Sequence, residues 1–421
     1  VLHRRLHAPA GVALDFEAIR TELGIPAAFP PAAVHEARTA RPDLSAHVDA
    51  TDLPLVTIDP PGSRDLDQAV ALEARRDGGW TVHYAIADVA AWVAPGGELD
   101  AEARRRTQTY YAPDRRRPLH PEALGEAAAS LLPDGARPAA LWRIEVGEDG
   151  EPGEVHVRRA LVRSRAQLSY PQVQADLDAA RAPASVVPFP ALGEALLGAS
   201  RRRGAIELGL PEQDVVPAPT GGWTVALRAD LPVERWNAQV SLLTGRAAAS
   251  LMLGAGIGLL RTVPAPDPAA VERLRGAAAN LGIDWPAASG PATVLASLDI
   301  EDPRHAAFAD LAAELLRGAG YTAFDGPPPA DPGHAGVGAP YAHVTAPLRR
   351  LADRFATEVC LAVAAGTEVP AWAAEALADL PEAMAEGDHR GHALERAIVD
   401  AAEAFVLADR VGQVFAADVV E

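Results

Sequence analysis

Apolar residues along this 421-residue chain recur with two different spacings, and the change from one to the other divides it. From about residue 51 to 165 they alternate with polar ones, the pattern of half-buried strands. Leu55 to Ile58 is predicted as a short buried strand and Pro60-Pro-Gly62 as a turn. Asp65-Leu66-Asp67 is a period-two segment with both acids on one face. Trp80 to Val89 is predicted as a strand, and Leu141 to Val146 with Val155 to Val162 as a hairpin about Gly147-Glu-Asp-Gly150. Beyond that point the spacing lengthens to three and four, which predicts helices over Tyr170 to Ala180, Glu234 to Leu253, Pro268 to Leu281 behind an Asp267 cap, His305 to Arg317, Leu348 to Ala365 and Arg390 to Arg410. The first 50 residues predict a strand-like Val1 to Arg5 and helices from Asp15 to Leu23 and Pro31 to Arg38. Gly412 to Val420 alternates like a first strand and then stops.

No long linker, low-complexity tract or fixed-period repeat interrupts this pattern, so one large core with small appendages is expected. No apolar run approaches the roughly 18 to 20 residues that a membrane span requires. The single Cys360 excludes an internal disulfide and makes a reducing cytoplasm the default; a monomer is expected. Lysine is absent, all 38 basic residues being arginine, which excludes a Walker-type phosphate loop, a lysine Schiff base and a Ser-Lys dyad. The formal charge of −19 opposes casual nucleic-acid binding. Arginines nevertheless cluster at 104–106, 115–117, 158–165, 201–203 and 349–354, so a basic channel within an acidic body satisfies both facts. Each cluster taken alone also fits a solvated helix face.

Candidate chemistry begins with Asp59, Asp65 and Asp67, three carboxylates within nine residues at a strand end. Such crowding favours a hard divalent cation, Mg²⁺ or Mn²⁺, although a solvated acidic turn has the same composition. Downstream, His334 to Asp353 combines a glycine-rich loop, Thr345-Ala-Pro347 as a helix start, and Arg349-Arg350 opening that helix. Helix N-termini and guanidinium groups both favour a phosphate.

Together these stretches resemble the catalytic domain of the ribonuclease II / ribonuclease R family of RNB-domain exoribonucleases. Tyr84-Ala-Ile-Ala-Asp88, Tyr110-Tyr111-Ala-Pro113-Asp114, Ser130-Leu-Leu-Pro133, Gln167-Leu-Ser-Tyr170 and Arg203-Gly-Ala-Ile-Glu207 follow in the family's order. The resemblance implies an α+β fold, an RNB-type catalytic domain over residues 51–410 with a mixed β-sheet and surrounding helices. Residues 1–50 would be a lead-in or helix-turn-helix remnant, and residues 411–421 the truncated start of an S1-like β-barrel. It further implies Mg²⁺, two ions, held by Asp59, Asp65 and Asp67, with Gln68 supplying a neutral oxygen where the family has a fourth aspartate. Asp67, Arg349 and Tyr170 become the catalytic candidates, and Tyr111, Tyr170, Arg349 and Arg350 the substrate-binding ones. The implied activity is processive 3′→5′ hydrolysis of single-stranded RNA to nucleoside 5′-monophosphates. Two further departures from the family are Asn237-Ala-Gln239, where paired acids are usual, and Glu207, near the position of a clamping aromatic. With Gln68 they keep open a catalytically weak, RNA-binding relative. A Mg²⁺-dependent phosphatase unrelated to RNA would need a small closed pocket.

Overall fold

Among the described residues, seven strands lie in or beside the alternating part of the chain: β1 (Val48–Asp49), β2 (Thr57–Asp59), β3 (Gln68–Ala74), β4 (Trp80–Ala87), β5 (Arg137–Val146), β6 (Pro152–Val162) and β7 (Gln167–Ser169). They are seen in a computed structural model that describes residues 14–414 apart from 77, 134, 211, 218–222 and 300–301. The strand expected at Val1 to Arg5 and most of the one expected at Gly412 to Val420 lie outside the described residues.

Strands β3 to β6 form an antiparallel meander and β1 adds parallel to β6, giving the order β1-β6-β5-β4-β3 with β3 at one edge. Side-chain alternation sends large residues to one face and small ones to the other. Val70, Tyr84, Ile86, Trp142 and Ile144 face the larger core, which is completed by helices Phe189–Arg202, Pro232–Ala255 and Leu351–Ala365. Ala69, Ala71, Ala85, Ala87 and Ala139 face a second core with Leu66, Leu99, Leu131 and Leu348. Both faces are therefore buried, and alanine on one of them lets loops approach the sheet closely.

The hairpin and the helix Pro268–Leu281 follow the predicted pattern, the latter capped by Asp267. The C-terminal helix is longer than predicted, Leu380–Leu407, and begins ten residues before Arg390. Helices do not simply take over after residue 165. Two-stranded sheets, Glu212–Pro217 with Trp223–Arg228 and Ile257–Thr262 with Gly320–Asp325, interleave with them. The two N-terminal helices go to different partners. Phe16 packs with Leu394 and Ile398 of the C-terminal helix. Helix Pro31–Thr39 docks on Glu98–Arg106, where Glu36 accepts hydrogen bonds from the Glu98 and Leu99 amides. The fold is thus a mixed α/β one, with a two-face-buried sheet at its centre.

Candidate active site

The parallel pairing of β2 with β7 sets Asp59 beside Ser169. Ser169 caps the helix Tyr170–Asp178 by accepting from the Gln172 amide, so Tyr170, the first helical residue, stands next to Asp59. The Tyr170 hydroxyl accepts from Asn237 Nδ2 at 3.1 Å, which gives one of the sequence departures a positioning role. Asp59 Oδ2 is buried without a hydrogen-bond partner, and burial, then the nearby Asp65, pushes this carboxyl up to about 7. A group left that way calls for a cation.

The turn after β2 is held by Ser130, whose hydroxyl accepts from the Leu66 amide at 3.0 Å and donates to the Arg64 carbonyl at 2.6 Å. Leu66 is thereby buried, and the acids either side of it turn the other way. Asp67 is 6% exposed. Its Oδ1 accepts from the Leu348 amide at 2.7 Å, across 281 residues, and its Oδ2 lies 3.9 Å from Arg349 Nε. Burial holds its carboxyl well above the usual range, opposed by Arg349 and the Leu348 amide. Asp65 and Arg349 are each within electrostatic reach of both Asp59 and Asp67.

Arg349 owes its place to backbone contacts. The Thr109 amide donates to the Arg349 carbonyl at 3.0 Å, and the 349 and 350 amides both donate to the Ala346 carbonyl. Its side chain remains 44% exposed. The same strand-like segment buries Tyr110, whose hydroxyl donates to the Arg106 carbonyl, and turns Tyr111 outward at 52% exposure. Tyr111 is within electrostatic reach of Arg349, Asp65 and Asp67. It also borders a cavity of about 500 Å³ between residues 108–113 and the C-terminal helix, where His392 and Glu395 line it.

Several expectations need correction. The three acids do not converge as one ligand set: among the described residues no three His, Cys, Asp or Glu side chains come together closely enough to hold one ion. Asp65 is drawn away by Arg116, 2.6 Å from its Oδ1, which also holds Glu126 at 2.8 Å. The donors that fit a divalent ion as they stand are Asp59, with its orphaned oxygen, and Asp67.

Arg350 does not offer a free fork to a phosphate. Burial and Asp353, at 2.9 and 3.0 Å, commit its guanidinium to bracing the loop, and Asp353 also accepts from the Ala346 amide. Thr345-Ala-Pro347 does not start a helix either, since the helix begins at Leu351. In the glycine-rich loop the Val337 and Gly338 amides donate to the His334 carbonyl, so they are not available to cradle an anion. The arginine clusters are largely spent on internal acids, as in Arg104 with Asp100, Arg106 with Glu102, Arg117 with Glu17 and Arg159 with Asp88.

Gln68 is also committed. Its Nε2 donates to the Thr345 carbonyl at 2.7 Å, and its Oε1 accepts from the Tyr84 hydroxyl and, at 3.4 Å, from Ser241. Both ends of the amide that was expected to ligate metal are engaged by protein. Glu207 and Gln239, two more departures, bond each other at 3.2 Å. The residues missed from sequence were Asp353, Arg116 and Tyr84. The i, i+3 spacing of Arg350 and Asp353 was a usable signal; the other pairings are long-range and had none.

An RNB domain model matches residues 47–363. Ribonuclease R of Escherichia coli is 29% identical over 96% of this chain, and the chain spans about half (52%) of that relative's length. The structure of Mycoplasma genitalium RNase R in complex with ribose-methylated single-stranded RNA superposes with a TM-score of 0.84 at 21% identity, covering 94% of this chain and 65% of that one. Yeast Ssd1, described as a pseudonuclease, superposes with a TM-score of 0.69 at 18% identity, covering 86% of this chain and 46% of that one. Nucleases of the matched family are metal-dependent. With that family model spanning most of the chain, and the order of motifs and the fold agreeing with it, the chain belongs to the RNB-domain family of ribonuclease II and ribonuclease R exoribonucleases.

Proposed function

We propose that this chain is the catalytic part of a hydrolytic exoribonuclease that degrades single-stranded RNA processively, 3′→5′, to nucleoside 5′-monophosphates with Mg²⁺. The observation that carries the reading is the docking of Leu348 and Arg349 on Asp67, a contact between segments 281 residues apart that sets a half-exposed guanidinium beside buried carboxylates. Divalent ions, two in this reading and with Mn²⁺ able to substitute, would be held by Asp59 and Asp67 with Asp65 recruited from Arg116. They would relieve phosphate charge and lower the pKa of the attacking water. Arg349 binds the phosphate next to the scissile bond as a planar donor fork. Tyr170, steadied by Asn237, packs on the terminal nucleotide, and the exposed Tyr111 ring meets a base further along the strand.

Residues 51–410 form the catalytic domain in this reading. The working form is a monomer in the cytoplasm; no described helix is long and apolar enough to cross a membrane. Incubating the protein with 5′-labelled single-stranded RNA, with and without Mg²⁺, tests the activity. Mg²⁺-dependent loss of mononucleotides from the 3′ end is expected, and failure to shorten the strand counts against it.

A second reading, an RNA-binding relative with little catalysis, is favoured by the neutral Gln68 and by the Arg116 hold on Asp65. It has a precedent of fold in the pseudonuclease Ssd1. Tight RNA binding without Mg²⁺-dependent mononucleotide release would select it.

A further inference from the structure

Gln68 opens the edge strand β3 and Asp67 immediately precedes it, and successive residues along an extended backbone face opposite sides of the sheet. Gln68 pairs with Ile86 in the register, so it shares its face with Val70, Tyr84 and Ile86. Asp67 looks to the other side, where Leu348 packs in the alanine-rich core. The segment 345–349 straddles this edge and is gripped from both sides. Gln68 Nε2 takes the Thr345 carbonyl at 2.7 Å, and Asp67 Oδ1 takes the Leu348 amide at 2.7 Å.

We infer that Gln68 is a positioning residue, which with Asp67 forms a two-point clamp on the 345–349 loop and thereby aims Arg349, and that it is not a metal ligand. This inference rests on the reading of Arg349 as the phosphate contact. The polarity of the amide is dictated by its partners. A peptide carbonyl only accepts, so the group facing Thr345 must be the NH₂, and the oxygen is left for Tyr84 and Ser241. Tyr84 is 1% exposed and also shares a 2.8 Å hydrogen bond with Ser241 on helix Pro232–Ala255, so the amide is locked by two other elements. A carboxylate at position 68 would set an anion against the Thr345 carbonyl and would lose the donor that engages it. The neutral amide therefore fits this loop arrangement, in which position 68 must donate to a carbonyl.

The test uses the whole chain and the isosteric variant Gln68→Glu, which exchanges the donor for a charge. RNA turnover should fall by about thirtyfold or more and affinity for single-stranded RNA by about five- to tenfold, because a misdirected Arg349 loses a phosphate contact made in the bound state and strengthened in the transition state. Mn²⁺ affinity of the metal-free protein, read by electron paramagnetic resonance, should stay within about twofold, whereas an added carboxylate ligand would tighten it by tenfold or more. In an Arg349→Ala background Gln68→Glu should add less than about twofold, since both act through the same guanidinium. Tightened Mn²⁺ binding, or full additivity with Arg349→Ala, overturns the inference. Tyr84→Phe, which removes only the hydroxyl that orients the amide, should show the same coupling at smaller size, so a Gln68→Glu protein that does not fold leaves the question answerable. The same cycle read as affinity for single-stranded RNA in EDTA needs no turnover. Wild-type protein that binds but does not hydrolyse would sink the nuclease reading alone, while absence of Gln68–Arg349 coupling in binding would sink this one.

Discussion

Replacing Asp67 by Asn should separate holding the fold from doing the chemistry. Asparagine keeps the volume and an oxygen for the Leu348 amide, now 2.7 Å from Oδ1, so the anchoring hydrogen bond survives but loses its charge assistance. That change costs about 1 kcal/mol. The lost attraction to Arg349 costs about 0.2–1 kcal/mol, because Nε is 3.9 Å away and the arginine side chain is 44% exposed to screening solvent. Against both stands relief from burying a carboxylate at 6% exposure, a penalty of about 1–3 kcal/mol that a neutral amide largely escapes. The terms nearly cancel, so stability should stay within about 1 kcal/mol and the melting temperature within about 3 °C. Turnover should behave differently, because the variant removes the anion that the proposed mechanism assigns to holding the metals. A fall of about 10³-fold or more, roughly 4 kcal/mol in the barrier, is expected. Single-turnover release of mononucleotides from labelled RNA measures it, with RNA affinity in EDTA and thermal melting on the same samples. Wild-type turnover in a preparation free of contaminating nuclease would falsify the metal-site assignment, and a melting temperature lowered by about 8 °C or more would show that Asp67 is mainly a structural anchor.

The adjacent arginines should part company: Arg349→Ala should lower turnover by about 10²-fold or more without unfolding the protein, whereas Arg350→Ala strands the buried Asp353 and should cost about 3–5 kcal/mol in chemical denaturation. RNA affinity should weaken linearly on a logarithmic salt scale, and matched DNA should be degraded more slowly than RNA; equal rates on the two would contradict the ribonuclease reading. Burial, and then Arg354, pushes the His120 imidazole down to about 3, so the folded state resists a proton that the unfolded chain takes up near pH 6.5. Its contribution to stability is complete above that pH and is lost as pH falls from about 6.5 toward 3, and His120→Gln should flatten the acid limb of a stability profile by up to about 1.4 kcal/mol per pH unit.

Local features were legible in the sequence wherever one residue type dictates its own surroundings. Asp267 before Pro268, and the Gly147 to Gly150 turn between two alternating runs, produced the predicted cap and hairpin because those effects act within a few residues. The helix start at Thr345-Ala-Pro347 failed for a tertiary reason. Asp353, Asp67 and Thr107 take the amides of Ala346, Leu348 and Leu351, and those contacts hold the segment open against its local preference.

The sequence by itself determined the family, the central run of strands with helices after it, and the membership of Asp59, Asp65, Asp67, Tyr111, Tyr170 and Arg349 in one neighbourhood, because those residue types follow a fixed order along the chain. Only the tertiary structure decided which of them are free to act. Arg116 reaching Asp65 over 51 residues, Asp353 claiming Arg350, and Thr345 claiming Gln68 over 277 residues are choices of partner among charged and polar groups. Such choices depend on distance and burial, since a charge in a closed site must find its counter-charge or hydrogen bonds there, and a linear pattern records neither quantity.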